Sequence, residues 1–155
     1  MDKDCNQLVS FFLRALGVVR ASFRRAQINV QKQSEVKSVV VSVNPSYSEE
    51  STETENDYAQ DGVTLNIALD ADLNLKGPDE QDGMGVSLLI RRSNNNWIVE
   101  GEIGWSSSYI GWDQFYEKEL VHQNISEVIE MLPPFVESLL DDFQAKLAEH
   151  LKSGD

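Results

Sequence analysis

The sequence has few of the residues that build covalent or metal-centred sites. Its 155 residues include one cysteine, Cys5, and two histidines, His122 and His150. A lone cysteine excludes an internal disulfide framework and favours a reducing compartment. Neither histidine has a cysteine or carboxylate partner at the spacing of a metal site. We therefore expect no metal and no cofactor.

Catalytic motifs are also missing. The serines at 106–108 lie outside any G-x-S-x-G frame, and no glycine-rich loop could hold a phosphate. Cys5 has no features of a nucleophile. Residues 70–74, DADLN, superficially resemble a calcium loop, but Leu75 and Gln81 stand where that loop needs glycine and glutamate. We predict that the chain has no catalytic residues and is not an enzyme.

Long apolar runs are absent as well. No run approaches the roughly 18–20 residues that a membrane-spanning helix needs. The apolar stretch 8–19 lacks the basic flank of a signal peptide, and Arg14 interrupts it. The expectation is a cytoplasmic protein without membrane contact. The length and the apolar content of 41% predict one globular domain over residues 1–155.

Positive charge is scarce beyond the N-terminal quarter of the chain. Residues 1–38 carry seven bases and three acids, a net of +4, whereas residues 39–155 carry six bases and 23 acids, a net of −17. The sum is the net charge of −13. Such a field attracts basic proteins and repels nucleic acid and anionic membranes. The arginines of the first helix are interpreted as solvated or as paired with the chain's own acidic segment.

Hydrophobic periodicity predicts a helix over about residues 4–29. Its expected buried face consists of Leu8, Phe12, Ala15, Leu16, Val19, Phe23 and Ala26. Four strands follow, at about 36–44, 63–75, 84–92 and 97–105.

Turn and breaker residues set the remaining boundaries. Pro45 is expected to end the first strand, and residues 45–62, with six acids and no base, are predicted to form a mobile loop. Residues 113–122 are read as a helical turn. Asn124 caps a further helix, which Pro133-Pro134 is expected to break or kink so that a second helix starts there.

The strand register follows from the turns. A two-residue turn at Asn94-Asn95 places Ile90 opposite Val99 and continues to Met84 opposite Trp105. Pairing Leu75 with Met84 extends the same apolar face to the strand at 63–75. We therefore predict an α+β fold: a four-stranded antiparallel β-meander with N- and C-terminal helices packed on one face.

The opposite sheet face is expected to be acidic. The predicted register brings together Asp70, Asp72, Glu100 and Glu102, with Arg91 nearby. Three interpretations remain open for this cluster: a solvated surface, a docking site for a basic partner, or a metal site.

An aromatic cluster follows the acidic strands. It consists of Trp105, Tyr109, Trp112, Phe115 and Tyr116, among glycines and serines. Such a cluster is typical of a protein-binding edge, or it caps the end of the core.

In size, acidity and lack of catalytic apparatus, the chain resembles the small bacterial immunity proteins that neutralise toxins. It is also similar in outline to acidic secretion chaperones. The first resemblance implies binding of a basic protein, such as a nuclease toxin. The second implies capture of an apolar client segment in a groove on a dimer, with the oligomeric state left open by the sequence. A small-molecule carrier, with its ligand between helices and sheet, is a third hypothesis.

Overall fold

The structure, a computed structural model, describes residues 2–47, 63–73, 83–93, 95–107 and 111–153. Its elements are α1 (Asp2–Gln31), β1 (Val36–Tyr47), β2 (Val63–Leu73), β3 (Gly83–Ser93), β4 (Asn96–Ser107), β5 (Gly111–His122) and α2 (Ile125–Ser153). The strands form an antiparallel sheet in the order β1-β2-β3-β4-β5. Both helices pack on one side of it, which we call the covered face; the other is the open face. The α+β meander is thus confirmed, with five strands rather than four.

The core lies between the covered face and the two helices. Alternate residues of β2, β3 and β4 point into it, because side chains of a strand alternate between its two faces. Five residues that the predicted register places on this face, Val86, Leu88, Ile90, Val99 and Ile103, are buried. They share one core with Val19 of α1 and with Leu139 and Phe143 of α2, which are buried as well. Two further residues of the buried face predicted for the first helix, Leu8 and Phe12, have side chains outside the described part of the structure.

The hairpin of β3 and β4 has the predicted register. Ile90 pairs with Val99 and Met84 with Trp105, and the ladder closes at Ser93 opposite Asn96. Asn95 has a φ of 64°, the left-handed conformation that two-residue hairpin turns require and that asparagine tolerates.

The register between β2 and β3 differs from the prediction. Met84 pairs with Ala71, not with Leu75, so β2 is displaced by four residues relative to β3. An even displacement keeps every apolar side chain on the covered face, so the alternation in the sequence fits both registers equally well. The assignment of faces is therefore right, but the rows of neighbouring residues are not.

The prediction of a helical turn at 113–122 is wrong, because these residues belong to β5. The register between β4 and β5 shifts between Ile103 and Gly104, as at a β-bulge. The bulge moves Tyr116 to the covered face, whereas Trp112 and Gln114 lie on the open face. Because the side chains before and after the bulge alternate in opposite order, the sequence of β5 does not show the regular alternation that marks a strand.

The helices differ from the prediction in two respects. The buried face of α1 contains Phe11, whose ring centroid lies 4.3 Å from that of Trp97. The helix α2 continues through Pro133 and Pro134 instead of dividing there. Leu132 and Val136, both fully buried, hold the turns on either side of the proline pair against the core and offset its missing N–H groups.

The cap of α2 is where the sequence predicts it. The backbone N–H of Ser126 donates a hydrogen bond of 2.9 Å to Asn124 Oδ1. No helix among the described residues is long and apolar enough to cross a membrane.

The strand β1 runs beyond its predicted end. It continues through Pro45 to Tyr47, and β1 is an edge strand, where a missing N–H is tolerated. The remainder of the predicted mobile loop, residues 48–62, lies outside the described residues, as do residues 74–82.

Candidate partner-binding site

Three strands place acidic side chains on the open face. The strand β2 carries Asp70 and Asp72, and β4 carries Glu100 and Glu102, because these positions alternate with the buried ones. The structure thus brings all four predicted acids to one surface. The strand β5 adds two further carboxylates to it. We call the six residues the acidic sheet face: Asp70, Asp72, Glu100, Glu102, Glu117 and Glu119.

Glu117 and Glu119 were missed by the sequence reasoning. They pair directly with Glu102 and Glu100 on the neighbouring strand. Like charges at such positions destabilise a sheet modestly. The signal that could have revealed them is their spacing: Glu117 and Glu119 stand two residues apart, which places both side chains on one face if the segment is a strand. The helical interpretation of this segment concealed it.

The acidic sheet face has little positive charge to balance it. Across the described parts of β2 to β5, Arg91 is the one base on the open face. Its guanidinium donates a hydrogen bond of 2.8 Å to Glu100 Oε1, and this pair is partly screened from solvent. The other five acids form no ion pair with a base among the described residues, although Glu117 accepts a hydrogen bond from the side-chain amide of Gln114.

The predicted aromatic cluster is divided between the two faces. Trp112 lies on the open face beside the acids. Trp105 lies on the covered face, with its ring centroid 4.5 Å from that of His150. The hydroxyl of Tyr116 donates a hydrogen bond of 2.5 Å to Asp142 in α2, so this ring joins β5 to the helix. Tyr109 lies outside the described residues.

Trp112 lies across two glycines of the neighbouring strands. Gly85 and Gly104 are paired in the ladder between β3 and β4. A Cβ atom at Gly85 would lie 3.1 Å from the indole ring, and one at Gly104 would lie 2.9 Å from it. The absence of both side chains lets the indole approach the sheet closely, with 43% of the residue exposed.

A groove of about 280 Å³ opens beside this indole. Its lining combines two carboxylates and the indole with polar and apolar residues: Asn66, Ala68, Asp70, Val86, Ser87, Leu89, Glu102 and Trp112. The side-chain oxygen of Asn66 is buried and accepts no hydrogen bond from the described residues. We call this space the Trp112 groove.

Both carboxylates of the Trp112 groove have raised pKa values. Partial burial raises the pKa of Glu102 most, and repulsion from Glu100 and Glu117 adds to it. A hydrogen bond from the Trp112 side chain acts in the opposite direction. Burial and then repulsion from Asp72 raise the pKa of Asp70. The ionised forms are thus disfavoured, and a cation in the groove would relieve that penalty.

The chemical groups of the Trp112 groove suit a cation. Among the described residues, no three His, Cys, Asp or Glu side chains are arranged to hold a metal ion. His122 faces Glu127 in an ion pair at the start of α2, away from the open face. Carboxylates, an amide oxygen and an aromatic face are hydrogen-bond acceptors and π-donors, which suit an ammonium or guanidinium group.

Comparisons with known protein families, with curated protein sequences and with solved structures find no match to this chain.

Proposed function

We propose that the chain binds a basic protein partner through the acidic sheet face and neutralises it, in the manner of an immunity protein acting on a nuclease toxin. The observation that carries the proposal is the set of six carboxylates on one open sheet surface, where Arg91 is the one base among the described residues of β2 to β5. A nuclease surface that binds phosphates presents lysine and arginine side chains. Carboxylates on a rigid sheet can occupy those positions in place of the substrate.

The Trp112 groove supplies an anchor for this partner. A lysine or arginine side chain of the partner enters the groove, contacts the face of the indole and pairs with Asp70 and Glu102. Aromatic residues near the centre of an interface often contribute most of its binding energy, whereas peripheral charges mainly set the association rate. The raised pKa values support this role, because a bound cation favours the ionised carboxylates.

Charge reversal on the face tests the proposal. The variant Asp72→Lys with Glu117→Lys leaves Glu102 and its hydrogen bond to Trp112 intact. The partner is a basic nuclease chosen from the products of neighbouring genes, and binding kinetics are measured at about 50 mM and about 300 mM NaCl. We expect association about tenfold slower at low salt, with a flatter salt dependence, because steering by opposite charges is lost.

A control variant makes the same change in net charge elsewhere. Glu130→Lys with Asp141→Lys places both reversals on the exposed side of α2. This control should slow association far less than the reversal on the sheet. If both variants slow association equally, the binding site is not localised on the sheet. If association is unchanged in the sheet variant, the acidic sheet face is only a solvated surface.

A further inference from the structure

A second cavity, of about 460 Å³, lies between α1 and the edge strand β1. It is on the covered side of the sheet, so it is separate from the acidic sheet face. Its size falls within the range of small-molecule sites, roughly 300–1,000 Å³. The lining residues are Leu16, Arg20, Arg24, Gln27, Val41 and Val43.

The apolar part of the cavity comes from both elements. Val41 and Val43 lie two residues apart on β1 and share its covered face. Leu16 faces them from α1. Val43 stays 41% exposed although it points to the covered side of the sheet. An apolar ligand body in the cavity would remove this surface from water, which is favourable by the hydrophobic effect.

The polar part of the cavity is cationic. Arg20 and Arg24 are one helical turn apart, so their side chains share one side of α1. No ion pair or hydrogen bond joins either guanidinium to another described side chain. The neighbouring Arg25, by contrast, pairs with Glu137 at 2.6 Å. In a chain with 26 acidic residues, two arginines without an acidic partner in the described structure are an unusual local excess of positive charge.

One end of the cavity is fixed by a hydrogen bond. The side-chain amide of Gln27 donates to the backbone carbonyl of Val39 at 3.3 Å, linking α1 to β1. The cavity walls are therefore set by packed elements, and a ligand does not have to create them. Binding to a preformed site is more favourable, because the protein does not have to become ordered around the ligand.

We infer that this cavity binds an amphipathic carboxylate, with the alkyl chain between Leu16 and the two valines and the carboxylate at Arg20 and Arg24. Guanidinium groups form charge-assisted hydrogen bonds with carboxylates, and the valines accept only an apolar body. The combination selects a fatty-acid-like molecule over a sugar, a nucleotide base or a cation. This inference does not depend on the proposed binding of a basic protein.

An amide NMR titration of the full chain with sodium decanoate tests the inference. We expect saturable shifts at the backbone amides of Leu16, Arg20 and Val41. The variant Arg20→Gln with Arg24→Gln should weaken binding about tenfold or more, because two charge-assisted contacts are lost. The matched control is Arg14→Gln, which removes an exposed charge from the same helix outside the cavity and should leave the affinity within about twofold.

A second variant tests the apolar wall. Val43→Gln should weaken decanoate binding without unfolding the protein, because this side chain is already part-exposed. The inference is overturned if decanoate shifts no cavity amide, or if Arg14→Gln weakens binding as much as the double variant. It is also overturned if binding appears only after the acids of residues 49–61, which lie outside the described residues, are changed to amides. That result would identify this segment as the natural occupant.

Discussion

At the scale of single residues, Glu102 combines an energetic penalty in the free protein with a role in the proposed binding. It faces Glu117 across the β4–β5 ladder and lies near Glu100, so its charge is opposed in the free protein. The same carboxylate accepts a hydrogen bond from Trp112 and lines the groove beside it. A cation from a partner would turn the repulsion into attraction. The residue is therefore expected to limit stability and to support binding.

The first prediction follows from the raised pKa of Glu102. A carboxyl whose pKa is higher in the folded state binds protons more readily there, so its charge destabilises the fold above that pKa. We expect Glu102→Gln to increase the free energy of unfolding at pH 7 by roughly 0.2–1 kcal/mol. The gain should shrink as the pH falls to about 4, where the wild-type carboxyl is itself protonated. Urea unfolding at both pH values measures this.

Glu149→Gln is the control for this prediction. Glu149 is exposed on α2, so its replacement makes the same change in net charge away from the acidic sheet face. Its effect at pH 7 should be smaller than that of Glu102→Gln. A Glu102→Gln protein that is less stable than the wild type at pH 7 would show that the Trp112 hydrogen bond outweighs the repulsion.

A second prediction concerns Ser22, a buried polar residue between the helices. Its hydroxyl donates a hydrogen bond of 2.6 Å to Glu137, and this bond is the largest single cause that lowers the pKa of that carboxyl; the charge and hydrogen bond of Arg25 lower it further. The stabilisation is present above the unfolded pKa of Glu137 and is lost as the pH falls through its lower folded pKa. Ser22→Ala should reduce stability at pH 7 by about 1 kcal/mol and make it less sensitive to acid.

Thermal melts between about pH 7 and pH 3 test this role of Ser22. The control is Ser138→Ala, since Ser138 is exposed and accepts a hydrogen bond from Lys118 at the surface. Its replacement should change stability by less than about 0.5 kcal/mol. The assigned role would be contradicted if both variants lost the same stability at pH 7. It would also be contradicted if the stability of Ser22→Ala fell with acid as steeply as that of the wild type.

At the scale of elements, the contact between β4 and α2 depends on a missing side chain. Gly101 lies opposite Lys118 in the ladder, and a Cβ atom there would come within 2.8 Å of the Leu139 side chain. Leu139 is fully buried, so it has little room to move. The glycine therefore lets the helix sit close to the sheet.

Two glycine substitutions are expected to have opposite effects. Gly101→Ala should destabilise the protein by about 1–3 kcal/mol, because it overpacks the contact with Leu139. Gly17→Ala should stabilise it by about 0.5–1 kcal/mol, because Gly17 is in a helix and a Cβ there meets nothing within 4 Å. Denaturant unfolding of both variants measures the difference. A destabilising Gly17→Ala, or a neutral Gly101→Ala, would contradict the assigned packing.

The elements also show which features a sequence alone determines. The register of the β3–β4 hairpin was predicted correctly. A two-residue turn at Asn94-Asn95 allows only one pairing of the strands, and that pairing places apolar residues opposite each other. The register of β2 was wrong by four residues, because an even shift leaves its alternation unchanged. The sequence KGPDEQDG at residues 76–83 is too long for a two-residue turn, so it does not specify the pairing.

The strand β5 was not predicted for a different reason. On its covered face β5 carries Tyr116 and Lys118, whose polar atoms are partnered by α2 residues such as Asp142. A covered face that uses polar side chains shows no hydrophobic alternation, so periodicity cannot identify the strand. The four acids predicted to share a face do share it. The aromatic cluster divides because the β-bulge changes which side chains of β5 point outward.

At the scale of the whole molecule, a net charge of −13 opposes compactness. The acidic sheet face concentrates part of this repulsion at paired positions such as Glu102 and Glu117. Binding and active sites often lower the stability of a protein, because their function needs groups that folding alone would not favour. The charge distribution therefore links the energetics of folding to the proposed binding.

The last prediction compares stability and binding in the same variant. Asp72→Lys with Glu117→Lys changes the net charge by +4, from −13 to −9, and places a lysine opposite Glu102. At low ionic strength we expect its melting temperature to rise by about 1–4 °C, which is a gain of roughly 1 kcal/mol or less for a chain of this size. Added salt should raise the melting temperature of the wild type more than that of the variant, because screening weakens the same repulsion.

The helix variant Glu130→Lys with Asp141→Lys separates the local effect from net charge. It makes the same change of +4 but places no lysine opposite an acid of the sheet, so it should gain less stability. If both variants gain equally, overall charge alone explains the repulsion. If the sheet variant gains nothing, the acidic sheet face carries no energetic penalty, and its carboxylates are a well-solvated surface. The sheet variant is expected to be more stable than the wild type and slower to associate with a basic partner. Both results together would show that the carboxylates that lower stability are the ones that promote binding.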